Sequence, residues 1–391
     1  MVRLLALYLQ CEFDIMPKKS KTKQHTFDES KDEFFLAKCL ALARRGAGKV
    51  SPNPMVGCVI VCNDKIIGKG WHKRYGQAHA EVNAIRSVKD PSLLSQSTLY
   101  VNLEPCSHYG KTPPCADLII EKSIPRVVVG CVDSNRKVAG KGIKKLKEAG
   151  VAVRVGVLRE ASEQLNEAFL KAHRRHLPFI ALKFAQSLDG RIATKTKDSK
   201  WITSESARAY AHHLRNYYDA IMVGSRTALA DNPDLTVRLV QGRNPTRVLL
   251  DRQLRVPLQA NIFSIDAPTL VFTSRINKRH PKVKALEKIG VKVFFVGEKS
   301  ESLNLLDIMH FLHEERILSV MVEGGAQLFA SLIKAGLCDK LYAFVTPKLI
   351  GGDGLASIGE FGLKKVAESI ELKNTSLKVL SDCLLVEGYF H

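Results

Sequence analysis

The chain lacks any apolar run approaching the ~18–20 residues that span a bilayer, so no membrane-spanning helix is expected. Tryptophan is scarce, with two in 391 residues, and no basic stretch is interleaved with aromatics. That weakens any reading in which bases stack on aromatic platforms. Internal repeats and long low-complexity tracts are absent, which removes solenoid and linker-array architectures. A G-x-G-x-x-G fingerprint is also missing, so a Rossmann dinucleotide fold is not expected. Nine cysteines are too few and too unevenly paired for a disulfide framework in a chain of this size. They point instead to a reducing compartment, taken as the cytoplasm, with thiols serving as ligands or core fillers. Acidic residues are in deficit: 59 Lys and Arg against 39 Asp and Glu give a net charge of +20. The cations are spread along the whole chain, so this charge fits a basic surface or anionic small substrates as well as nucleic acid.

The length suits two domains with separate cores. Residues 1–30 read as a disordered extension, polar and lysine-rich after a short apolar start, with Met16 as an alternative first residue. Ordered structure is expected from about Asp28. Residues 31–176 then alternate strands and helices, the pattern of an α/β layered domain. Expected elements are a helix through Phe35–Ala43, a hairpin of Val56–Val61 with Ile66-Ile67, a helix over 78–87 and strands at 98–103, 126–132 and 151–155. Helices are expected over 116–122 and 141–149. A single bridging helix is expected over Glu163–His173. A second α/β series, residues 177–391, opens at Pro178. It has strands near 179–184, 220–223, 247–250, 269–273, 291–296, 319–322 and 340–345. A helix over 204–217 is capped by Thr203, and another follows Gly324-Gly325.

The first half carries a metal constellation. His79-Ala80-Glu81 opens a helix, Glu104-Pro105-Cys106 ends a strand twenty-five residues later, and Cys115 follows an eight-residue loop. One histidine and two cysteines are ligands that zinc favours, and three protein ligands leave the fourth position of a catalytic site open. Glu81 matches the general acid/base of zinc deaminases, which carry H-x-E…P-C. Singly, His-x-Glu marks a solvated helix start and Pro-Cys marks little. Jointly, their order and helix/strand context point to hydrolytic deamination.

The eight-residue spacing between cysteines departs from the usual two. Here the sequence resembles the bifunctional riboflavin-biosynthesis deaminase–reductase family. The matching strings are Ser51–Gly57 (SPNPMVG), Gly70-Trp71-His72, His79-Ala80-Glu81, Glu104–Cys115 (EPCSHYGKTPPC) and Asp133-Ser134-Asn135. The serine in the last replaces the family's proline. In the second half Lys183–Ala193, Ser199–Thr203, Asp219–Arg238, Glu323-Gly324-Gly325 and Pro347–Gly352 match the reductase half. The resemblance implies a cytidine-deaminase-like three-layer α/β/α domain followed by a dihydrofolate-reductase-like α/β domain. It implies one Zn²⁺ on His79, Cys106 and Cys115, with Glu81 catalytic. Asn53, His72, His108, Lys111, Asp133 and Asn135 would hold the phosphorylated pyrimidine. Ala185, Trp201, Thr227, Asp231 and the turn Gly325, Ala326, Gln327, Leu328, Phe329, Ala330, Ser331 would bind NADPH. Lys183, Ser199, Arg215, Leu235, Arg238 and Glu323 would bind the ribosyl phosphate, Arg215 and Arg238 through bidentate charge-assisted bonds. The implied reactions are deamination of 2,5-diamino-6-ribosylamino-4(3H)-pyrimidinone 5′-phosphate, then reduction of its ribosyl group to ribityl. A homo-oligomer is expected, and neither nucleic-acid nor membrane partners are. Two rival readings stay open at this level: a nucleic-acid deaminase fused to an accessory domain, and a zinc-stabilised binding module without catalysis.

Overall fold

The computed structural model describes residues 27–109, 113–135, 138–299 and 302–390. Most of the extension expected over 1–30, and Lys111, lie outside the described residues. Two sheets organise the chain. The first half runs α1 (Glu29–Ala43), β1 (Gly57–Cys62), β2 (Lys65–Trp71), α2 (Ala80–Arg86), β3 (Thr98–Leu103), α3 (Cys115–Glu121), β4 (Arg126–Cys131), α4 (Lys141–Glu148) and β5 (Ala152–Val155). Two connecting helices follow, α5 (Arg159–Leu165) and α6 (Glu167–Arg175). The sheet order is β2-β1-β3-β4-β5, with β2 and β1 antiparallel to their neighbours and β3, β4 and β5 parallel.

Every residue of β1 and β3 is buried, because helices cover both faces. The pleat sends alternate residues to opposite sides. Cys58, Ile60, Leu99, Val101, Val127 and Val129 meet α2, α3 and α4. Val59, Val61, Tyr100 and Val128 meet Phe35, Leu36, Cys39 and Leu42 of α1. This is the three-layer α/β/α arrangement. Asp28 begins it as the N-cap of α1, its carboxylate accepting from the Lys31 N–H.

The second half contains β6 (Phe179–Ser187), β7 (Arg191–Ala193), α7 (Glu205–Tyr217), β8 (Ala220–Gly224), α8 (Ser225–Asp231), β9 (Thr246–Leu250), β10 (Thr269–Ser274), α9 (Pro281–Lys288) and β11 (Lys292–Val296). It continues with β12 (Glu298–Lys299), β13 (Ser302–Leu303), α10 (Leu305–Glu314), β14 (Ser319–Val322), α11 (Ala326–Lys334), β15 (Lys340–Thr346), β16 (Leu355–Ala356), β17 (Lys373–Leu380) and β18 (Cys383–Tyr389). Nine of these strands form one sheet, β11-β10-β9-β8-β14-β6-β15-β18-β17, in which β18 alone runs antiparallel to the rest. Helices α7 and α9 pack on one face through Ala207, Ala211, Leu214, Val283 and Leu286. Helices α10 and α11 cover the other through Ile308, Met309, Leu312, Phe329 and Leu332. Among the described residues no helix is long and apolar enough to cross a membrane.

Three local expectations change. The bridging helix expected over 163–173 is two helices broken at Asn166. That side chain leaves the helix path to bind both backbone groups of Met55, accepting from its N–H at 2.8 Å and donating to its carbonyl at 2.9 Å. Ser204, not Thr203, caps α7, accepting from the Ala207 N–H, while the Thr203 carbonyl takes the Arg208 guanidinium. Helices α8, α9 and α10 and the C-terminal hairpin β17–β18 are elements additional to the expected series.

The two halves share a polar seam. Lys171 on α6 reaches Asp339 at 2.6 Å, and Asp339 also accepts from the Ile180 N–H at 2.7 Å. The Tyr389 hydroxyl donates to Glu167 at 2.7 Å, and buried Lys340 lies between Glu167 and Glu387 at 3.9 and 3.4 Å. Gly48, in the left-handed region at φ 69°, sits so near Asn216 that a Cβ would lie 2.5 Å from the Asn216 carbonyl. The loop carrying Asn53 therefore leans on the end of α7.

Candidate active sites

The first site forms where β3 ends and two helices begin. His79 is the N-cap of α2 and Cys115 is the first residue of α3, so two ligands come from helix starts. Cys106 leaves the end of β3 through Pro105. The His79 Nδ1 lies 3.6 Å from the Cys106 Sγ and 3.3 Å from the Cys115 Sγ. Two ligands about 2.0–2.3 Å from one tetrahedral ion stand roughly 3.5 Å apart, so these spacings fit zinc. Among the described residues this is the one such group, its donor atoms all within 4.8 Å of one another. Two thiols and an imidazole are a zinc-type donor set. The Cys106 thiol is drawn well below its usual range by hydrogen bonding to Cys115 and then by His79, the direction that metal binding requires.

Glu81 sits in the first turn of α2 and is 3% exposed. Burial raises its carboxyl above the ordinary carboxylate range, opposed by the charge of His79. A group held this way can take and return a proton. Nearby, the Asn53 Nδ2 lies 3.1 Å from the His72 Nε2, and the His72 Nδ1 lies 3.2 Å from the Ala78 carbonyl. That network assigns the proton to Nδ1, so the Asn53 amide donates to Nε2. The His72 and His79 rings meet edge-on at 5.6 Å. Asp133 is buried after β4, and its carboxylate accepts from the Asn135 N–H at 2.7 Å. Burial, followed by the charges of Glu104 and Cys106, lifts the Asp133 carboxyl to about 6. His108 is exposed.

The second site lies outside the carboxyl ends of β14, β8 and β6, where ligands of open α/β sheets bind. Gly324 and Gly325 carry the chain from β14 into α11 against Thr227, and a Cβ on Gly325 would lie 3.0 Å from the Thr227 hydroxyl. The first helical bond runs from the Phe329 N–H to the Gly325 carbonyl. The N–H groups of Ala326, Gln327 and Leu328 precede it and form the helix's anion-facing end. Phe329 itself turns into the core and packs on Phe184, 5.9 Å between ring centroids. Ala330 is buried as well, whereas Ser331 is exposed, its hydroxyl donating to the Gln327 carbonyl at 2.8 Å.

The Glu323 side chain is nearly enclosed at the end of β14. Arg215 grips it with Nε at 2.5 Å and Nη2 at 2.8 Å, and donates Nη1 to the Thr236 carbonyl at 3.0 Å. Lys183 on β6 stands 3.8 Å away. The bidentate fork expected for a phosphate is thus engaged by Glu323. Burial alone would raise the Glu323 carboxyl, but Arg215 and then Lys183 pull it down to about 2. Burial wins at Lys183, whose ammonium is lowered despite Glu323. Arg238 pairs with Asp234 at 2.5 Å, and its backbone N–H donates to the His212 Nδ1 at 2.9 Å. Leu235 is buried with φ 53°. Trp201 is largely exposed, with the Arg208 guanidinium 4.4 Å above its ring. Ser199 and Asp231 are exposed, and Ala185 is half-buried on β6.

Residues additional to the expected set emerge only in three dimensions. Glu104, His212, Asn102 and Asn166 each hold backbone at a site. Glu104 alone had a local signal, standing within the Glu-Pro-Cys string.

A zinc-ligand deaminase domain joined to a reductase domain is the class that this fold and these sites define. The comparisons agree on both halves. Residues 29–131 match the cytidine and deoxycytidylate deaminase zinc-binding region, and residues 178–386 match the RibD C-terminal domain. The riboflavin biosynthesis protein RibD of Bacillus amyloliquefaciens is 47% identical over 323 residues, 82% of this chain and 86% of that protein. RibD of Aquifex aeolicus is 42% identical, covering 91% of this chain and 97% of its own. Among solved structures, the diaminohydroxyphosphoribosylaminopyrimidine deaminase/5-amino-6-(5-phosphoribosylamino)uracil reductase of Thermotoga maritima superposes with a TM-score of 0.82. It is 37% identical, over 92% of this chain and 99% of that one. The chain belongs to the RibD family of bifunctional deaminase–reductases of riboflavin biosynthesis.

Proposed function

We propose that residues 31–176 form a deaminase unit and 177–391 a reductase unit, acting in that order on one phosphorylated pyrimidine. The observation that carries this reading is the His79, Cys106 and Cys115 cluster with buried Glu81 beside it, in a chain that also holds the nearly enclosed Glu323 side chain gripped by Arg215. The first substrate is 2,5-diamino-6-ribosylamino-4(3H)-pyrimidinone 5′-phosphate. Zinc, when bound, supplies a Lewis acid that makes water nucleophilic at neutral pH. Glu81 takes one proton from the attacking water and passes it to a ring nitrogen, then takes the remaining proton from the newly added hydroxyl and delivers it to the departing amine. A C–O bond forms, the C–N bond breaks, and ammonia leaves. Asn53, His72, His108, Lys111, Asp133 and Asn135 would hold the phosphorylated pyrimidine.

In the reductase unit, NADPH supplies the hydride when bound. The α11 start at Gly325, Ala326, Gln327 and Leu328 would hold its anionic bridge, and Thr227, Asp231, Ala185 and Trp201 would complete its binding site. Lys183, Ser199, Leu235, Arg238 and Glu323 surround the ribosyl phosphate, and Arg215 acts through Glu323. Delivery of hydride to C1′ and of a proton to the ring oxygen opens the sugar to ribityl. The free thiols suit a cytoplasmic setting. A homo-oligomer is supported by β17, an exposed strand at the sheet edge.

The deciding experiment follows ammonia release and NADPH oxidation on one substrate, with and without a chelator. We expect ammonia first, then NADPH oxidation, with the chelator stopping both on the diamino substrate but leaving NADPH oxidation intact when deaminated substrate is supplied. Ammonia release that withstands complete zinc removal would overturn the deaminase assignment.

A further inference from the structure

Glu104 stands between the two halves of the deaminase site. It is 4% exposed and directly precedes Pro105 and the ligand Cys106. Among the described ion pairs it has no cationic partner, yet its carboxylate accepts four backbone N–H groups. Oε2 takes Asp133 at 3.2 Å and Gly140 at 2.9 Å. Oε1 takes Gly142 at 2.9 Å and Ile143 at 3.2 Å. Its own N–H donates to the Cys131 carbonyl at 3.0 Å. Buried charge persists only where such bonds replace its water.

The four donors are not scattered. Asp133 begins the loop that turns back through the Asp133–Asn135 hydrogen bond, and Gly140, Gly142 and Ile143 form the start of α4. One carboxylate therefore joins the end of the metal-ligand strand to both ends of the loop that carries Asp133 and Asn135. Gly142 is pressed against the same strand end, where a Cβ would lie 2.0 Å from the Pro105 carbonyl.

We infer that Glu104 is a positioning residue for deamination, holding the Asp133–Asn135 loop at a set distance from the metal-ligand loop so that the pyrimidine ring is presented to the reacting centre. The inference rests on the assignment of Asp133 and Asn135 to the pyrimidine pocket. Glutamine cannot replace the carboxylate, because its amide nitrogen donates. Whichever way it faces, it turns away either the Asp133 and Gly140 pair or the Gly142 and Ile143 pair. Displacing a substrate-holding loop by about 1 Å can cost ~10²-fold.

The test compares Glu104→Gln, Gly142→Ala and Asn135→Ala. Steady-state deamination, zinc content and reduction of the pre-deaminated substrate are measured on each. Glu104→Gln should raise the deamination KM at least ~10-fold while kcat stays within a few-fold. It should keep one zinc and leave the reductase step unchanged. Gly142→Ala pushes the same contact from the other side and should give the same split. If Glu104→Gln fails to accumulate as folded protein, Gly142→Ala decides by these criteria. Unchanged KM, a fall confined to kcat, or loss of zinc overturns the positioning role. If Asn135→Ala also leaves KM unchanged, the pocket assignment fails instead; if it alone raises KM, only the role of Glu104 fails.

Discussion

Replacing Arg215 by Met removes the partner of a buried carboxylate while keeping much of the side chain's volume. In the wild-type protein Glu323 and Arg215 are both nearly enclosed, their side chains 7% and 13% exposed. After the change Glu323 retains only Lys183, 3.8 Å away. Breaking one side of a buried pair typically costs ~3–5 kcal/mol, because the remaining charge has neither water nor partner. Against the effect of burial, Arg215 and then Lys183 hold the Glu323 carboxyl down to about 2. Since the folded value is depressed, the pair's stabilisation is fully present above pH 4.5 and is lost as the pH falls toward 2. In Arg215→Met the carboxyl takes up a proton more readily, so the variant's deficit should be largest near pH 7 and shrink by pH 4.5. Urea unfolding at both pH values, read through hydrogen exchange of the β6 and β14 amides, isolates the second sheet from the first. A loss below ~1 kcal/mol at pH 7, as for an exposed ion pair, or a loss that does not shrink on acidification, would refute the reasoning. Such a result joined to a raised KM for the phosphorylated substrate would return Arg215 to direct phosphate binding.

Cys106→Ala should leave the protein without stoichiometric zinc, read by metal analysis; full retention would remove Cys106 from the ligand set. Glu81→Gln should retain zinc and lose ~10²–10⁴-fold in deamination rate, so near-normal ammonia release would end its proposed role. The same variant should still oxidise NADPH on pre-deaminated substrate at the wild-type rate. Loss of that step in folded protein would mean one composite site rather than two. Asn166→Ala strips two hydrogen bonds from Met55 and should destabilise the first sheet by ~1–3 kcal/mol. Calorimetric melting that leaves the transition of that sheet unmoved would show that the Met55 groups find other partners.

Much of the first site was legible along the chain. His79 and Glu81 are two residues apart, and Cys106 and Cys115 each stand beside a strand end or helix start that apolar periodicity locates. Local signals of this kind survive folding, because hydrogen bonding within a helix and strand alternation depend on near neighbours. The Gly324-Gly325 turn was legible for the same reason. What the sequence could not determine were partnerships between residues far apart on the chain. Arg215 reads as a free phosphate fork until α7 is laid against β14 and Glu323 takes it. Phe329 lies in the cofactor turn by position, but the helix phase sends its ring into the core against Phe184. The break at Asn166 has no strong local cause; its side chain is drawn out by Met55, 111 residues away. Glu104 reads as one residue of a motif, and only the close approach of the strand end to α4 gives its carboxylate four N–H donors. Residue types and chain order determined which chemistry this protein can hold. Tertiary structure decided which charges stay free for substrate and which are spent holding the sites together, because a buried charge must find its partner wherever packing places one.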